Sequence, residues 1–192
     1  MPAPKPDPKA PARLLPEPQQ DGKKNDPQST FEPRTGAGIG QQFLKKLVGT
    51  FEVTKTISPP GKEPVVTKGR CKQHMIHGGL FLQSDFTFFE KDGSKTSGIG
   101  TIGFDAKTGI FTSTWTDSRS TRISLRQSQG VFDGESIVLL GKSLEGGGTD
   151  ARHSRTVAKL EDGGKKLVHR QYNSAGPNGE EHQIMELSMV RR

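Results

Sequence analysis

Arg170 and Tyr172 are of the right type and spacing to bind an anion. One residue separates them, so on a β-strand both side chains would project from the same face. A guanidinium fork matches the two oxygens of a carboxylate, and Tyr172, the only tyrosine in the chain, adds a hydroxyl donor. We predict that this pair anchors an acid group. The alternative is an outward-facing cross-strand pair.

Cys71, His74 and His77 are of types that can ligate metals. On a strand, His74 would face away from the other two residues, and Cys71 and His77 would lie about 20 Å apart, at about 3.3 Å per residue. A tetrahedral zinc site cannot close over that distance, so the sequence predicts no metal site. His153 and His169 fall on separate predicted strands, and their spacing leaves open whether they converge.

Motifs for catalysis are missing from the sequence. It contains neither the Gly-x-Ser-x-Gly of nucleophilic hydrolases nor the His-Glu-x-x-His of zinc proteases. Asp105 and Asp117 flank predicted turns, where a short carboxylate is expected to bond the local backbone. We therefore predict no catalytic residues.

Gly98, Gly100 and Gly103 reproduce the spacing of a dinucleotide-binding loop. That loop needs a helix directly after it, because the helix N-terminus holds the pyrophosphate. In this chain the glycines are followed by a predicted turn, Asp105–Gly109, and then by a second strand. We expect the glycines to permit close packing under an aromatic side chain such as Trp115, the only tryptophan.

The charge and composition restrict the class of partner. Among 192 residues, 28 Lys and Arg outnumber 21 Asp and Glu, but the excess is spread along the chain. Nucleic-acid binding would need exposed aromatics interleaved with basic residues, whereas Phe111 and Trp115 are predicted to be buried, so it is not expected. Arg122 and Arg126 share one strand face, opposite Ile123, and are predicted to be solvated.

Membrane and export signals are not visible in the sequence. The longest aliphatic run, residues 137–140, is far shorter than the roughly 20 residues of a membrane helix. Met1 leads into a Pro-rich stretch without an apolar segment, which predicts a soluble, cytoplasmic protein if this methionine is the true start. The single cysteine gives no indication of the compartment.

Residues 1–40 and 41–192 differ in composition. The first segment holds nine of the thirteen prolines and one Phe, so we predict a disordered tail. The second is predicted to form one domain, opening with a short helix over residues 41–48, whose apolar residues lie on one stripe. In the whole chain only 29% of residues are hydrophobic, which indicates an unfolded part and an interior that is not fully apolar.

Residues 50–190 read as a succession of β-strands separated by turn residues. Ile102 and Phe104 alternate on one predicted strand, and Phe111 and Trp115 on the next. Other strands are predicted at 50–57, 65–76, 80–89, 121–127, 136–142, 151–160, 166–173 and 183–190. About ten strands at a spacing of about 12–15 residues leave no room for helices, which predicts an all-β, antiparallel up-and-down barrel capped by the N-terminal helix.

Several short motifs, taken in order, resemble the uncharacterised bacterial domain-of-unknown-function family fifteen seventy-nine, of the lipocalin-like (calycin-type) barrels. They are Leu47-Val-Gly-Thr-Phe51, Gly78-Gly-Leu-Phe-Leu82, Gly103-Phe-Asp105, Trp115-Thr-Asp-Ser118 and the terminal Arg191-Arg192. Phe51 stands where lipocalins usually have Trp, and Phe104 stands where the family commonly has Tyr. The resemblance covers about residues 41–192 and implies a barrel, with no agreed activity.

A lipocalin-like barrel would hold a small apolar or amphipathic ligand, which could be anionic, without catalysis or a resident cofactor. We predict that four aromatic residues line or floor its cavity: Phe51, Phe104, Phe111 and Trp115. Arg170 and Tyr172 would anchor an acid group, much as an Arg-x-Tyr pair does on the last strand of fatty-acid-binding barrels.

Two alternatives stay open. One is a structural or interaction protein whose Pro-rich tail makes the contact. The other is a haem protein that is similar to nitrobindins, whose haem-ligating histidine lies near the C-terminus. His182 would be the ligand here, although the expected position falls nearer Ile184.

Overall fold

The structure, a computed structural model, describes residues 35–144, 151–174 and 179–192. The predicted Pro-rich tail lies outside these residues as far as position 34, as does any partner contact predicted for it. The helix and strands are α1 Ile39–Lys46, β1 Gly49–Ile57, β2 Val65–Ile76, β3 Phe81–Phe89, β4 Lys95–Asp105, β5 Ile110–Asp117, β6 Ser124–Gln127, β7 Ser136–Leu144, β8 Ala151–Glu161, β9 Lys166–Ser174 and β10 His182–Arg191.

The ten strands form a closed antiparallel barrel. Each strand pairs with its neighbours in the sequence, and β10 returns to pair with β1, so that Phe51 lies opposite Arg191 and Ile57 opposite Met185. Closure leaves no free sheet edge. The predicted up-and-down barrel of about ten strands with a short helix is therefore confirmed. No helix in the described part of the chain has the length and apolarity to cross a membrane.

Alternation along the strands determines what faces the interior. On β3, for example, Leu82, Ser84, Phe86 and Phe88 are buried, while the residues between them are more exposed. The same period of two holds on β2, where Cys71 and the residues two positions to either side are buried. The interior is thus lined by polar as well as apolar side chains.

The predicted turn between β4 and β5 is confirmed. The Asp105 carboxylate accepts hydrogen bonds from the Lys107 backbone N–H at 2.9 Å and from the Thr108 hydroxyl at 2.9 Å. Gly109 closes the turn with a φ of 72°, which glycine adopts without steric cost. These contacts explain why an aspartate and a glycine stand at the two ends of this turn.

The glycines of β4 make room for aromatic rings. A Cβ atom at Gly98 would overlap the indole of Trp115, and one at Gly103 would lie 2.6 Å from the ring of Phe81. The strand is followed by a turn and β5, and no helix begins after Gly103. The packing interpretation of this glycine motif is confirmed.

The helix closes one end of the barrel, the helix end. Observed at Ile39–Lys46, α1 lies two residues earlier than predicted, because Leu47 already leaves the helix as its C-terminal cap. Gln41 ties α1 to β4: its side-chain oxygen accepts the Gly38 N–H and its amide donates to the Phe104 carbonyl, both at 2.7 Å. Phe43 and Leu44 are buried between the helix and the barrel.

Gly40 is where α1 touches the barrel most closely, and its replacement by alanine is expected to be destabilising. In an ordinary helix this change stabilises by about 1 kcal/mol. Here the new Cβ would overlap the ring of Phe104, so we expect a loss of about 1–3 kcal/mol in the free energy of unfolding. Denaturant titration checks this, with exposed Gln42→Ala on the same helix expected to stay within about 0.5 kcal/mol of the original chain. A G40A protein as stable as the original would contradict this packing.

Arg191 fastens the last strand to the helix end. Its Nη2 donates to the carbonyl of Lys46 at 2.9 Å, its Nη1 donates to the carbonyl of Val48, and its guanidinium lies 4.9 Å from the ring centroid of Phe51. A buried aromatic ring and two carbonyls at and just after the end of α1 thus share one cation. The C-terminal strand thereby positions the helix.

The shortest strand, β6, departs most from prediction. It spans Ser124–Gln127 rather than 121–127, and Ile123 and Leu125 are 71% and 60% exposed. Arg126 pairs with Ser113 of β5, and since paired residues project to the same face, its side chain lies inside the barrel. The prediction that Arg126 is solvated was wrong, because the apolar residues of this strand take the outer face.

The boundary between β6 and β7 is the weakest in the barrel. Its described register consists of one pair, Gln127 with Leu140. The boundary between β5 and β6 has four pairs, and the other boundaries have longer registers. We call this boundary the seam.

Candidate functional site

A cavity of about 260 Å³ occupies the barrel interior. Leu47, just after α1, lines it at the helix end, and Arg119, in the turn after β5, lines it toward the opposite end. Strands from around the barrel contribute to the wall, so the cavity is a product of the whole fold. It is the place where a small molecule could be enclosed.

One side of the cavity is apolar and rich in aromatic rings. Phe86 lies at its centre, with its ring 5.5 Å from Trp115 in an edge-on arrangement and 5.7 Å from Phe88 in a stacked one. Leu82 and Ile102 extend this wall toward the helix end. We call these five residues of β3, β4 and β5 the aromatic wall.

Trp115 is held in place from two directions. Gly98 and Gly100 lie behind its ring. Its indole N–H donates to the Asp117 carboxylate at 3.0 Å, and the same carboxylate lies 3.7 Å from the Arg119 guanidinium. The ring is therefore fixed against the cavity, and its fluorescence would report directly on a bound molecule.

Of the four aromatic residues predicted to line or floor the cavity, the structure brings Trp115 to its wall. The other three, Phe51, Phe104 and Phe111, are buried at the helix end, where the rings of Phe104 and Phe111 lie 4.8 Å apart. They pack beneath the helix rather than against the cavity space. These three rings therefore contribute to the packing of the helix end and do not line the cavity.

Arg170 and Tyr172 point away from the cavity. Their neighbours His169 and Gln171 line it, and alternation along β9 therefore directs Arg170 and Tyr172 outward. Arg170 donates to Glu186 at 2.9 Å and lies 3.3 Å from Glu161. This is the outward-facing cross-strand arrangement that the sequence left as the alternative.

Tyr172 is covered from outside by another ion pair. The guanidinium of Arg155 lies 4.4 Å from its ring centroid and donates to Glu181 at 2.6 Å. The carboxyl of Glu181 has its pKa lowered chiefly by this hydrogen bond. Both predicted anchors are thus engaged on the outer surface, and the cavity takes its cations from other positions.

Lys55 is one cation that faces the cavity. It is only 4% exposed, and its ammonium lies 3.9 Å from the ring centroid of Phe88. Burial, followed by the charge of Arg119, lowers the pKa of this amine. A cation–π contact offsets part of the cost of burial, so the ammonium is not without a favourable neighbour.

Arg126 is the second inward cation. Among the described residues no hydrogen-bond or ion-pair partner accepts from its guanidinium, and burial lowers its pKa. His169 lies within reach of its charge: burial, followed by the Arg126 charge, lowers the pKa of His169 to about 4. The imidazole is therefore neutral near pH 7.

Buried polar atoms without partners lie near these groups. In the described part of the chain they include Nε2 of His169, Oγ1 of Thr156 and Oε1 of Gln73, three residues that line the cavity. Gln73 does donate through its amide to the Ser84 hydroxyl at 2.9 Å. A buried polar atom normally has a partner, so these atoms mark where a ligand or water would bind.

Cys71, His74 and His77 do not converge in the structure. The Cys71 thiol is buried and burial raises its pKa, while His74 lies 3.5 Å from Asp85 on the outer side. His77 stands in the turn after β2, its ring 5.9 Å from Phe81. No group of three or more His, Cys, Asp or Glu side chains among the described residues could hold a metal ion.

His182, the residue named for the haem alternative, is exposed at the first position of β10. Its Cα pairs with Asn173, and it does not belong to the cavity lining. The cavity histidine is His169, on β9. The geometry around His182 therefore does not fit haem ligation inside the barrel.

Most of the polar side chains that line the cavity were not among the site residues predicted from the sequence. The signal was available for Lys55, because it continues the inward alternation that begins at Phe51 and Val53. It was available for His169 and Gln171 as well, since they alternate with the buried Leu167. For Arg126 the local pattern pointed the wrong way, and only the pairing with β5 reveals its direction.

The family comparison matches nearly the whole described chain. A family model described as "Protein of unknown function (DUF1579)" matches residues 38–191. No curated protein matches. Among solved structures, the crystal structure of Rv2717c from M. tuberculosis is similar, with 15% identity, a TM-score of 0.52, and coverage of 79% of this chain and 96% of that one.

Two further solved structures match. A fluorescence-activating β-barrel designed de novo has 13% identity and a TM-score of 0.41, over 78% of this chain and 96% of its own. The structure titled "EF1p2_mFAP2b bound to DFHBI" has 10% identity and a TM-score of 0.42, over 79% of this chain and 98% of its own.

Proposed function

Because this chain belongs to the family of proteins of unknown function DUF1579, whose description carries no activity, we propose a function from the cavity itself. The barrel binds a small apolar or amphipathic ligand in its interior, without catalysing a reaction on it. The observation that supports this most directly is an interior space with an aromatic wall on one side and the partnerless buried polar atoms of Thr156 and His169 on the other.

The aromatic wall supplies the affinity for the apolar part of the ligand. Burial of apolar surface contributes about 25 cal/mol per Å², and the ring faces of Phe86 and Trp115 are rigid, so little side-chain entropy is lost when a ligand packs on them. The volume of about 260 Å³ lies just below the usual range for ligand cavities, which begins at about 300 Å³. A short acyl chain or a compact aromatic system fits this size better than a long lipid.

The arrangement of the polar groups supports binding rather than catalysis. The hydroxyl of Ser84 on β3 accepts a hydrogen bond from Gln73, whereas the cavity histidine, His169, lies on β9, four strands away around the barrel. Nucleophilic catalysis needs a hydroxyl or thiol that is hydrogen-bonded to a base, whereas Oγ1 of Thr156, on the strand next to that of His169, and Nε2 of His169 both lack a hydrogen-bond partner in the described chain. The buried thiol of Cys71 has a raised pKa, which disfavours its reactive thiolate.

Titration with N-phenyl-1-naphthylamine, a neutral apolar fluorophore, tests this function. We expect saturable quenching of Trp115 emission with one molecule bound per chain, because the only tryptophan lies in the cavity wall. Ala158→Phe would fill the space next to His169 and should weaken binding about 10-fold or more. Val157→Phe on the outer face of the same strand is the matched control, and unfolding midpoints verify that both variants fold.

Two results would contradict the proposed function. One is the absence of saturable binding by the original chain. The other is equal affinity in A158F and V157F, since the probe would then bind on the surface.

A further inference from the structure

On the premise that the cavity binds a small ligand as proposed above, we propose that Arg126, Thr156 and His169 form a head-group site for the carboxylate of an amphipathic monoanion. Its apolar part lies against the aromatic wall. The natural ligand class is therefore a short-chain or single-ring carboxylic acid, and its anchor is Arg126 rather than Arg170.

The guanidinium of Arg126 is the charged group of the head-group site. Its strand partner is Ser113, which lines the cavity, and the Arg126 Cγ passes close to Gly141 of β7. No acid among the described residues pairs with it. A half-buried cation that faces an interior cavity favours an anionic partner, and the guanidinium fork matches a carboxylate with two parallel hydrogen bonds.

Thr156 and His169 provide two polar groups for the head-group site, and the observations on them are independent of Arg126. Thr156 is 7% exposed and lines the cavity from β8, yet its hydroxyl has no partner in the described chain. The Nε2 atom of His169 is equally without a partner on the adjacent strand β9. The hydroxyl, and the imidazole in the tautomer with hydrogen on Nε2, can both donate to the carboxylate lone pairs that Arg126 does not engage.

The charge balance of the cavity sets the charge of the ligand. Three cations face it, Lys55, Arg119 and Arg126. Two carboxylates act on Lys55: Glu90, which accepts from the Thr96 hydroxyl, and Asp117, which is engaged by Arg119 and the Trp115 N–H. Lys55 has the ring of Phe88 as a neighbour. Arg126 is thus the cation that lacks compensation, and one negative charge supplies it.

The position of this site implies the orientation of the ligand. Arg126, Thr156 and His169 belong to β6, β8 and β9, while the aromatic wall belongs to β3, β4 and β5. Carboxylate and tail would therefore contact different sectors of the barrel. A molecule with charge at one end and apolar surface at the other satisfies both.

Competition between two chain-matched molecules tests the head-group site. Octanoate and octan-1-ol share the same tail, and each is titrated against bound N-phenyl-1-naphthylamine. In the original chain we expect octanoate to displace the probe at about 10- to 100-fold lower concentration than octanol, since charge-assisted hydrogen bonds have this magnitude. Without a site for the anion, octanol would bind more tightly because it loses less hydration.

The variant R126Q should abolish the preference for octanoate while its affinity for the neutral probe stays within about 2-fold. R122Q removes the same charge from an exposed position just before β6 and should keep the preference. T156V removes one donor with little change of volume and should reduce the preference about 5-fold. If R126Q fails to bind the probe, the preference for octanoate is measured instead in R126K, which retains the charge without the fork, and in T156V.

The outcomes separate the two proposals. If the original chain binds the probe but octanol displaces it as readily as octanoate does, the head-group site is overturned and the proposed ligand binding still stands. The same conclusion follows if R126Q or T156V retains the full preference for octanoate. Absence of probe binding in the original chain would overturn the proposed function itself.

Discussion

Replacement of Phe111 by alanine is expected to lower the free energy of unfolding by about 3–5 kcal/mol, the usual range for a buried phenylalanine. Phe111 is 1% exposed, and its ring lies 4.8 Å from Phe104 and 5.0 Å from Phe132. Phe43 of α1 completes the group, with its ring 5.1 Å from Phe132. Truncation at Phe111 removes the centre of the packing between helix and barrel.

Denaturant unfolding measures this loss, and Phe89→Ala provides the comparison. Phe89 is a β3 phenylalanine on the outer face, where Arg70 and Lys95 approach its ring. Its truncation should cost about 1 kcal/mol or less, since much of its surface is already in water. Similar losses for F111A and F89A would mean that the helix-end cluster does not carry the stability assigned to it.

The second large effect is a dependence of stability on pH that arises at His169. Burial and the Arg126 charge lower the pKa of His169 from 6.5 to about 4. Between pH 6.5 and 4 the unfolded chain therefore binds a proton at this position that the folded chain does not bind. Stability is fully present above pH 6.5 and falls as the pH drops, by about 3 kcal/mol in total at pH 4.

Neighbouring groups reinforce the direction of this effect. The charged groups that face the cavity are Lys55 from β1, Arg119 after β5 and Arg126 from β6, with Asp117 engaged at its edge. A protonated His169 would add to an excess of positive charge. The flanking residues on β8 and β10, which pair with His169 in the register, are apolar and offer no acceptor.

His169→Gln isolates the contribution, because glutamine carries no charge at any pH. We expect the difference in unfolding free energy between the original chain and H169Q to change by about 3 kcal/mol from pH 7 to pH 4. Carboxyl groups such as Asp105, whose pKa is lowered by the Lys107 N–H, lose their contribution only at still lower pH and do so in both proteins. Parallel pH profiles for the two proteins would show that His169 titrates normally.

Patterns of period two were sufficient to predict the fold. Most strands of the barrel carry their own alternation and are followed within a few residues by glycine, proline or aspartate, and these are local properties that one sequence displays. The helix was predicted from its apolar stripe, but its end was placed two residues late. Leu47 is buried whether it lies in the helix or in the cap that follows, so its burial could not locate the boundary.

The site was harder to predict than the fold, because residue type and side-chain direction are separate questions. The Arg170 and Tyr172 pair had suitable chemistry, but the inward positions on β9 belong to His169 and Gln171. On β6 the local pattern would bury Leu125, yet pairing with β5 turns Arg126 inward and leaves Leu125 exposed. The face of a short strand that points into the barrel depends on the strand with which it pairs. The sequence of the short strand alone does not determine it.

The seam between β6 and β7 has a consequence for exchange with solvent. Separating these two strands breaks fewer ladder hydrogen bonds than separating any other neighbours in the barrel, so local fluctuations begin there and need not disturb the helix end. Arg126 lies on β6, on one side of the seam, and Gly141 lies on β7, on the other side. If β6 and β7 separate transiently, a molecule bound in the interior would leave between these two strands, past the guanidinium of Arg126, rather than through either end of the barrel.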